Sequence, residues 1–267
     1  MRWMICLSAW LALAICGPAQ AQNKLVTLGT STSLEDSGLL NVLKPAFERD
    51  TGYRLQAYTP GSGKAIQLAR EGTIDVLLVH APTAEQEFVA QGYVDQRIPY
   101  MRNFFLIVGP PQDPAGVQGI TDAREAFRRI ANSRSLFISR GDDSGNHQQE
   151  VTVWKAAGIQ TGGLWYYEAG VGMGDVLKLA NEKHAYILID DGTWLAKRKS
   201  SSLRVLSQDP DRLGNTYTLI TMSKQKLPRI NHDGATVLVR WLTSDKGKAV
   251  IRSVVVDGES LYTLVAP

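Results

Sequence analysis

Apolar positions along this chain change period repeatedly, and the changes mark alternating strands and helices. Residues 25–28 form a short apolar run suited to a buried strand. A polar loop over 29–36 follows, and Leu39, Leu40, Leu43, Ala46 and Phe47 then recur at helical spacing. Pro45 lies inside that helix and is expected to kink it or end it early, because proline lacks the amide the helical ladder needs. Residues 53–58 read as a strand, 64–71 as a short helix, and 76–79 as a strand ending at His80. A helix over 83–91 starts after Pro82, and 104–108 reads as another strand.

The stretch GPPQDPAGVQG, residues 109–119, is too rich in Pro and Gly for a regular element and reads as a crossing between domains. Beyond it the alternation restarts: helix 122–131, strand 136–139, polar loop 140–145, helices 146–157 and 174–182, strand 185–189. A second turn-rich stretch covers 208–215, before a strand at 217–221 and helices near 233–242 and 246–254. Such alternation argues for an α/β protein with largely parallel sheets. The two breaks predict that residues 22–108 and 213–267 form one lobe, with 109–212 inserted as the other. A ligand cleft would lie between them, near the carboxyl ends of the strands.

The first 21 residues follow a different pattern. Arg2 precedes an apolar run over 3–15 that only Ser8 interrupts, and Ala19-Gln20-Ala21 gives a small-x-small cleavage pattern. We expect a signal peptide cut after Ala21 and a mature protein exported to the periplasm. A membrane anchor and a lipid on Cys16 are the alternatives, disfavoured by the short run and by the bulky Ile15. Cys6 and Cys16 are the chain's only cysteines, so cleavage leaves none for a Cys-built metal site, a disulfide or a catalytic thiol. Among 267 residues, 44% are hydrophobic and 21% charged, which is ordinary globular usage. The net charge of +3 gives no footprint for nucleic acid.

Two loops carry the candidate chemistry. Gly29-Thr30-Ser31-Thr32-Ser33 puts four hydroxyls between a strand and a helix, where one would cap the helix. Hydroxyl donors beside the unpaired amides of a helix N-terminus can cradle a small oxyanion without a lysine. The second loop, Ser139-Arg140-Gly141-Asp142-Asp143-Ser144-Gly145-Asn146, offers the planar fork of Arg140 to two oxygens of one anion. The plain alternatives are a turn with surplus hydroxyls and a surface loop in which Arg140 pairs with Asp142 or Asp143. Gly61-Ser62-Gly63 adds Ser62 at a third strand end, but its glycines are too close together for the four intervening residues of a nucleotide phosphate loop. Asp143-Ser144-Gly145 suggests a serine hydrolase, but none of His80, His147, His184 and His232 sits in the context of its general base. His80 and His184 read as scaffold histidines, since no cluster at ligand spacing makes a cation site.

Taken in order, these stretches resemble the tungstate-binding proteins of bacterial ABC importers. Thr30-Ser31-Thr32-Ser33 stands where that family has Thr-Thr-Thr-Ser, with Ser37-Gly38-Leu39-Leu40 after it. Residues 75–82, DVLLVHAP, are similar to its Asp-Val-x-x-Val-His-Ala-Pro segment. Asp113-Pro114-Ala115-Gly116, the Arg140 loop and the glycine-rich 168–174 complete the resemblance. It implies a two-lobed periplasmic-binding-protein fold of type II, no enzymatic activity and no cofactor. Thr30, Ser31, Thr32 and Ser33 from one lobe and Arg140 from the other would bind tungstate or molybdate. With Ser62, Ser144 and Asn146 they form the expected ligand set. Ser31 and Asn146 each replace a family threonine, and Asn146 would supply an amide donor in place of a hydroxyl. The implied partners are a membrane ABC permease with its ATPase, and the protein would be a monomer. Phosphate, sulfate and vanadate are the rival ligands. Tungstate and molybdate are fully deprotonated near neutrality and only accept hydrogen bonds, so their site should be rich in donors. Glu35, Asp36, Asp142 and Asp143 are expected to cap helices or orient Arg140.

Overall fold

The computed structural model describes residues 24–265; the expected signal segment lies outside them. In chain order the elements are β1 (Leu25–Thr30), α1 (Thr32–Asp36), α2 (Leu39–Thr51), β2 (Arg54–Tyr58), α3 (Ser62–Arg70), β3 (Val76–Val79), α4 (Pro82–Ala90) and β4 (Val94–Gly109). Next come α5 (Ala123–Asn132), β5 (Phe137–Ser139), α6 (Gly145–Ala157), β6 (Tyr166–Glu168), α7 (Met173–Lys183), β7 (Ile187–Asp190) and α8 (Asp191–Lys197). β8 (Arg204–Gln208), β9 (Gly214–Met222), α9 (His232–Thr243), α10 (Asp245–Arg252) and the two-residue strands β10 (Val255–Val256), β11 (Glu259–Ser260) and β12 (Thr263–Leu264) end the chain.

β1 pairs in parallel with β2 and β3, so the carboxyl ends of all three strands lie on one edge. β5 and β6 are also parallel. The rest corrects the expectation of largely parallel sheets, because β4 pairs antiparallel with β7, β8, β9 and β12. This 16-residue strand also replaces the short strand expected at 104–108. Its first half is polar and holds Pro99, which hid it from the apolar pattern. The register slips between Pro99 and Met101, an irregularity that accommodates a residue with no amide to donate. From Phe105 onward β4 exchanges β9 for β7 and β8, and so carries the chain from one group of strands to the other.

Pro45 does not end its helix, since α2 runs on to Thr51. Pro45 is exposed, whereas Leu39, Leu43, Ala46 and Phe47 are buried on the opposite stripe. Phe47 meets Trp241 edge-on at 5.5 Å between ring centroids. Burying each large side chain contributes about 1.5–3 kcal/mol, enough together to outweigh a proline penalty of about 3 kcal/mol. The expected loop over 29–36 is also shorter than its polarity suggests, because β1 reaches Thr30 and α1 starts at Thr32. α8, β6 and β8 were not expected either. A separate aromatic core of Phe127, Phe137 and Trp154 lies beneath α5 and α6. Among the described residues no helix is long and apolar enough to cross a membrane.

Candidate functional site

Three helix N-termini meet where the two hydroxyl- and arginine-bearing loops face each other. α3 begins at Ser62, α6 at Gly145 after the N-cap Ser144, and α7 at Met173 after Gly172. A helix N-terminus directs amides and partial positive charge outward, although here Ser144 takes one amide of α6 and Asp36 one of α7. Close approach depends on glycine at two positions. A Cβ on Gly145 would lie 2.7 Å from His80 Nδ1, and one on Gly63 would lie 2.5 Å from the Asp143 carbonyl.

The hydroxyl run divides into two kinds of residue. Thr30 is spent on the scaffold, donating to the Leu78 carbonyl at 2.5 Å and tying β1 to β3. Thr32 accepts from Arg140 Nη1 at 3.0 Å, a bond that spans the two loops. Ser31 and Ser33 are both buried, and neither hydroxyl has a hydrogen-bond partner among the described residues. Buried hydroxyls are almost always paired, so both are donors left available at this end of β1. Ser33 lies beside Asp190, whose carboxylate caps α8 through the Thr193 amide and hydroxyl, each at 2.8 Å.

Arg140 is the second wall. Its side chain is only 3% exposed. Nη2 donates to Asp142, the Thr32 hydroxyl holds Nη1, and Nε has no partner among the described residues. The Arg140–Asp142 pairing that would suit a surface loop is thus present, but in a buried setting. Asp142 also accepts from the Ser144 amide at 3.2 Å, which fixes the guanidinium relative to α6. Asp36 accepts from the Gly174 amide at 3.0 Å and pairs with Lys197 at 3.2 Å, beside a cleft of about 690 Å³ that adjoins Thr32.

The other expected ligand residues have structural duties. Ser62 accepts from the His80 amide at 3.1 Å. Ser144 caps α6 by accepting from the His147 amide at 3.3 Å. His147 Nδ1 accepts from the Asp143 amide, and no base reaches the Ser144 hydroxyl among the described residues. Asn146 turns its amide nitrogen to the Leu188 carbonyl at 3.1 Å and to Met173 Sδ at 3.0 Å. Its Oδ1 is left buried without a donor, the reverse of the donor role expected of it.

Sequence reasoning passed over Glu150 and gave His80 a scaffold role only. His80 is half of a scaffold histidine: Nδ1 is bonded to Asn215 Oδ1 at 2.8 Å, whereas Nε2 has no partner among the described residues. Its position at the carboxyl end of β3 was the available signal. Asp142 is the counter-ion of Arg140, the orienting role expected of it from the sequence. Nothing local signals Glu150, a buried carboxyl on α6 that accepts from Tyr166 at 2.7 Å and Trp154 at 3.1 Å. Burial raises its pKa to about 7, against the pull of donors from Tyr166, Ser139, Trp154 and the Arg140 amide.

Glu150 gives a prediction with a definite sign. Its folded pKa exceeds the ordinary 4.5, so the stability its protonated form contributes is complete below pH 4.5 and lost as pH rises through about 7. A shift of this size corresponds to about 3 kcal/mol. Glu150→Gln should therefore gain about 2–3 kcal/mol on the wild type between pH 5 and pH 8, read from urea unfolding at each pH. An unchanged difference would contradict a buried neutral acid.

Comparison with known proteins decides the family. Residues 17–246 match the family model described as the PBP superfamily domain. The tungstate-binding protein TupA of Peptoclostridium acidaminophilum is 39% identical over 254 residues, covering 90% of this chain and 89% of that protein. The chain belongs to the family of the tungstate-binding proteins. Solved members of this tungstate-binding family agree in shape. The crystal structure of the tungstate ABC transporter from Geobacter sulfurreducens is 40% identical, with a TM-score of 0.77, and covers 85% of this chain and 97% of that one. TupA from Desulfovibrio alaskensis G20 is 35% identical, with a TM-score of 0.75, over 91% and 99% of the two chains. The fold is that of a two-lobed periplasmic binding protein.

Proposed function

We propose that this protein captures tungstate, and molybdate as a second ligand, in the periplasm and delivers it to a membrane ABC permease driven by its ATPase. One observation carries the reading: Ser31 Oγ, Ser33 Oγ and Arg140 Nε are buried donors without partners among the described residues, at converging helix N-termini. The names of the relatives point to the same anion. Residues 22–108 and 213–267 would act as one lobe and 109–212 as the other, closing on the anion as a monomer and performing no chemistry. Lobe closure would be the state the permease reads.

Magnitudes fit the proposal. Each hydrogen bond to a charged group contributes about 1.5–3 kcal/mol, so six give roughly 9–18 kcal/mol before the several kcal/mol lost on closure. Nanomolar affinity needs about 12 kcal/mol, which leaves no donor to spare.

Calorimetric titration of the mature protein with tungstate, molybdate, vanadate, phosphate and sulfate tests the reading. Tungstate and molybdate should bind at least about a hundredfold more tightly than phosphate, a difference of about 2.7 kcal/mol. Equal affinities would overturn the reading. Asn146 favours the phosphate rival, because its unpaired Oδ1 could accept a hydrogen bond that only a protonated oxyanion donates.

A further inference from the structure

His80 stands at the end of β3, wedged between two helix N-termini. Ser62 of α3 accepts from its amide, and Gly145 of α6 presses against the Nδ1–Cε1 edge of its ring. The ring stacks on Tyr217 with centroids 4.5 Å apart and on Phe105 at 6.2 Å. Asn215 donates its amide nitrogen to Asn103 Oδ1 at 2.7 Å, so its own Oδ1 must face the imidazole. That places the ring proton on Nδ1 and leaves a lone pair on Nε2. Nε2 is buried and meets no donor among the described residues.

Two charged groups face this ring, Arg140 and Asp142, both from the loop after β5. β9 contributes Asn215 and the Tyr217 ring, β4 contributes Phe105, α3 contributes Ser62 and α6 contributes Gly145. Of these neighbours only Tyr217 can titrate, and burial pushes its hydroxyl well above the usual range. Burial holds the imidazole down at about 4, against the upward pull of the Asn215 bond; the Arg140 guanidinium also lowers it, and Asp142 opposes the arginine.

Resting on the reading of this pocket as a tungstate site, we propose that His80 takes up one proton from solvent when the dianion binds and returns it on release. Two negative charges reverse the local field, and the imidazolium becomes the favoured form. The proton adds to Nε2. The pocket thereby loses an acceptor that a fully deprotonated anion cannot use and gains a donor that it can. His80 is a coupling residue that acts through its charge beside the ligand set. Hydrogen phosphate is also a dianion, but its own proton needs an acceptor that the protonated ring no longer offers, so the coupling favours a fully deprotonated oxyanion.

Titration calorimetry of the mature protein with sodium tungstate, at pH 7 in Mops, Hepes and Tris, counts the protons from the dependence of heat on buffer ionisation. We expect uptake of about one proton per tungstate, with Kd rising about tenfold from pH 7 to pH 8. His80→Asn, whose amide can still donate to Asn215, should bind tungstate with no uptake and no such pH dependence. His147→Gln should keep the uptake, because His147 Nδ1 is already engaged with the Asp143 amide. If His80→Asn does not fold, the wild-type His80 Cε1 proton resonance serves instead. Tungstate at pH 7 should move it to the imidazolium position. Tight binding without proton uptake would overturn the coupling alone. Uptake that survives in His80→Asn, or an unmoved resonance, would overturn its assignment to His80. No binding of tungstate would overturn the site and the coupling together.

Discussion

Arg140→Ala should weaken tungstate binding by at least about 1.5–3 kcal/mol, roughly ten- to hundredfold. The variant loses the one fixed positive charge placed against the Thr32 hydroxyl. It also leaves Asp142, until then paired, facing an incoming dianion. The double variant Arg140→Ala/Asp142→Ala should therefore bind better than Arg140→Ala alone. Arg140→Lys should recover only part of the loss, because a point charge cannot reach Thr32, Asp142 and the anion with one planar fork. Calorimetry on the three folded variants gives the ranking. Undiminished affinity in Arg140→Ala would make the arginine structural.

Replacing Ser31 and Ser33 together by alanine should cost more, about 3–6 kcal/mol, because two charge-assisted bonds disappear. That is a loss of roughly a hundredfold to ten-thousandfold. Stability should move the other way. Ser31 bonds to nothing else in the fold among the described residues and Ser33 reaches only toward the Asp190 carboxylate, and leaving a buried hydroxyl unpaired costs about 1–3 kcal/mol. The double variant should thus melt at or above the wild-type temperature in the absence of anion, and should lose most of the upward shift that tungstate gives the wild type. A lower melting temperature without ligand would show that these serines serve the scaffold. Thr32→Val offers a contrast, because it removes the acceptor that holds Arg140 Nη1 and acts on the site through the arginine.

What could be read from the sequence follows the range of the forces involved. β3 at Val76–Val79 and the helices over the middle and end of the chain announce themselves through local apolar periods. The antiparallel sheet was not legible, because the pairing of β4 with β9 joins segments more than a hundred residues apart. Its polar first half carries no apolar alternation. Pro45 misled for a similar reason: a penalty visible locally is outweighed by burial against Trp241, far along the chain. In the site, the hydroxyl run and Arg140 were legible because each lies in one continuous loop. How the hydroxyls divide between scaffold and ligand was not, since it depends on the Leu78 carbonyl for Thr30 and on Leu188 and Met173 for Asn146. The role of His80 depends likewise on Asn215 and Tyr217, more than 130 residues away in the chain.

The proposed site is one tungstate held by Ser31 and Ser33 from the loop after β1 and by Arg140 from the loop after β5. Diffraction from crystals grown with tungstate, recorded at the tungsten absorption edge, tests this most directly. One dominant anomalous peak is expected, within hydrogen-bonding reach of both serine hydroxyls and the Arg140 guanidinium through the anion's oxygens. A dominant peak elsewhere, for example in the cleft beside Glu35 and Asp36, or none at all under saturating tungstate, would contradict it.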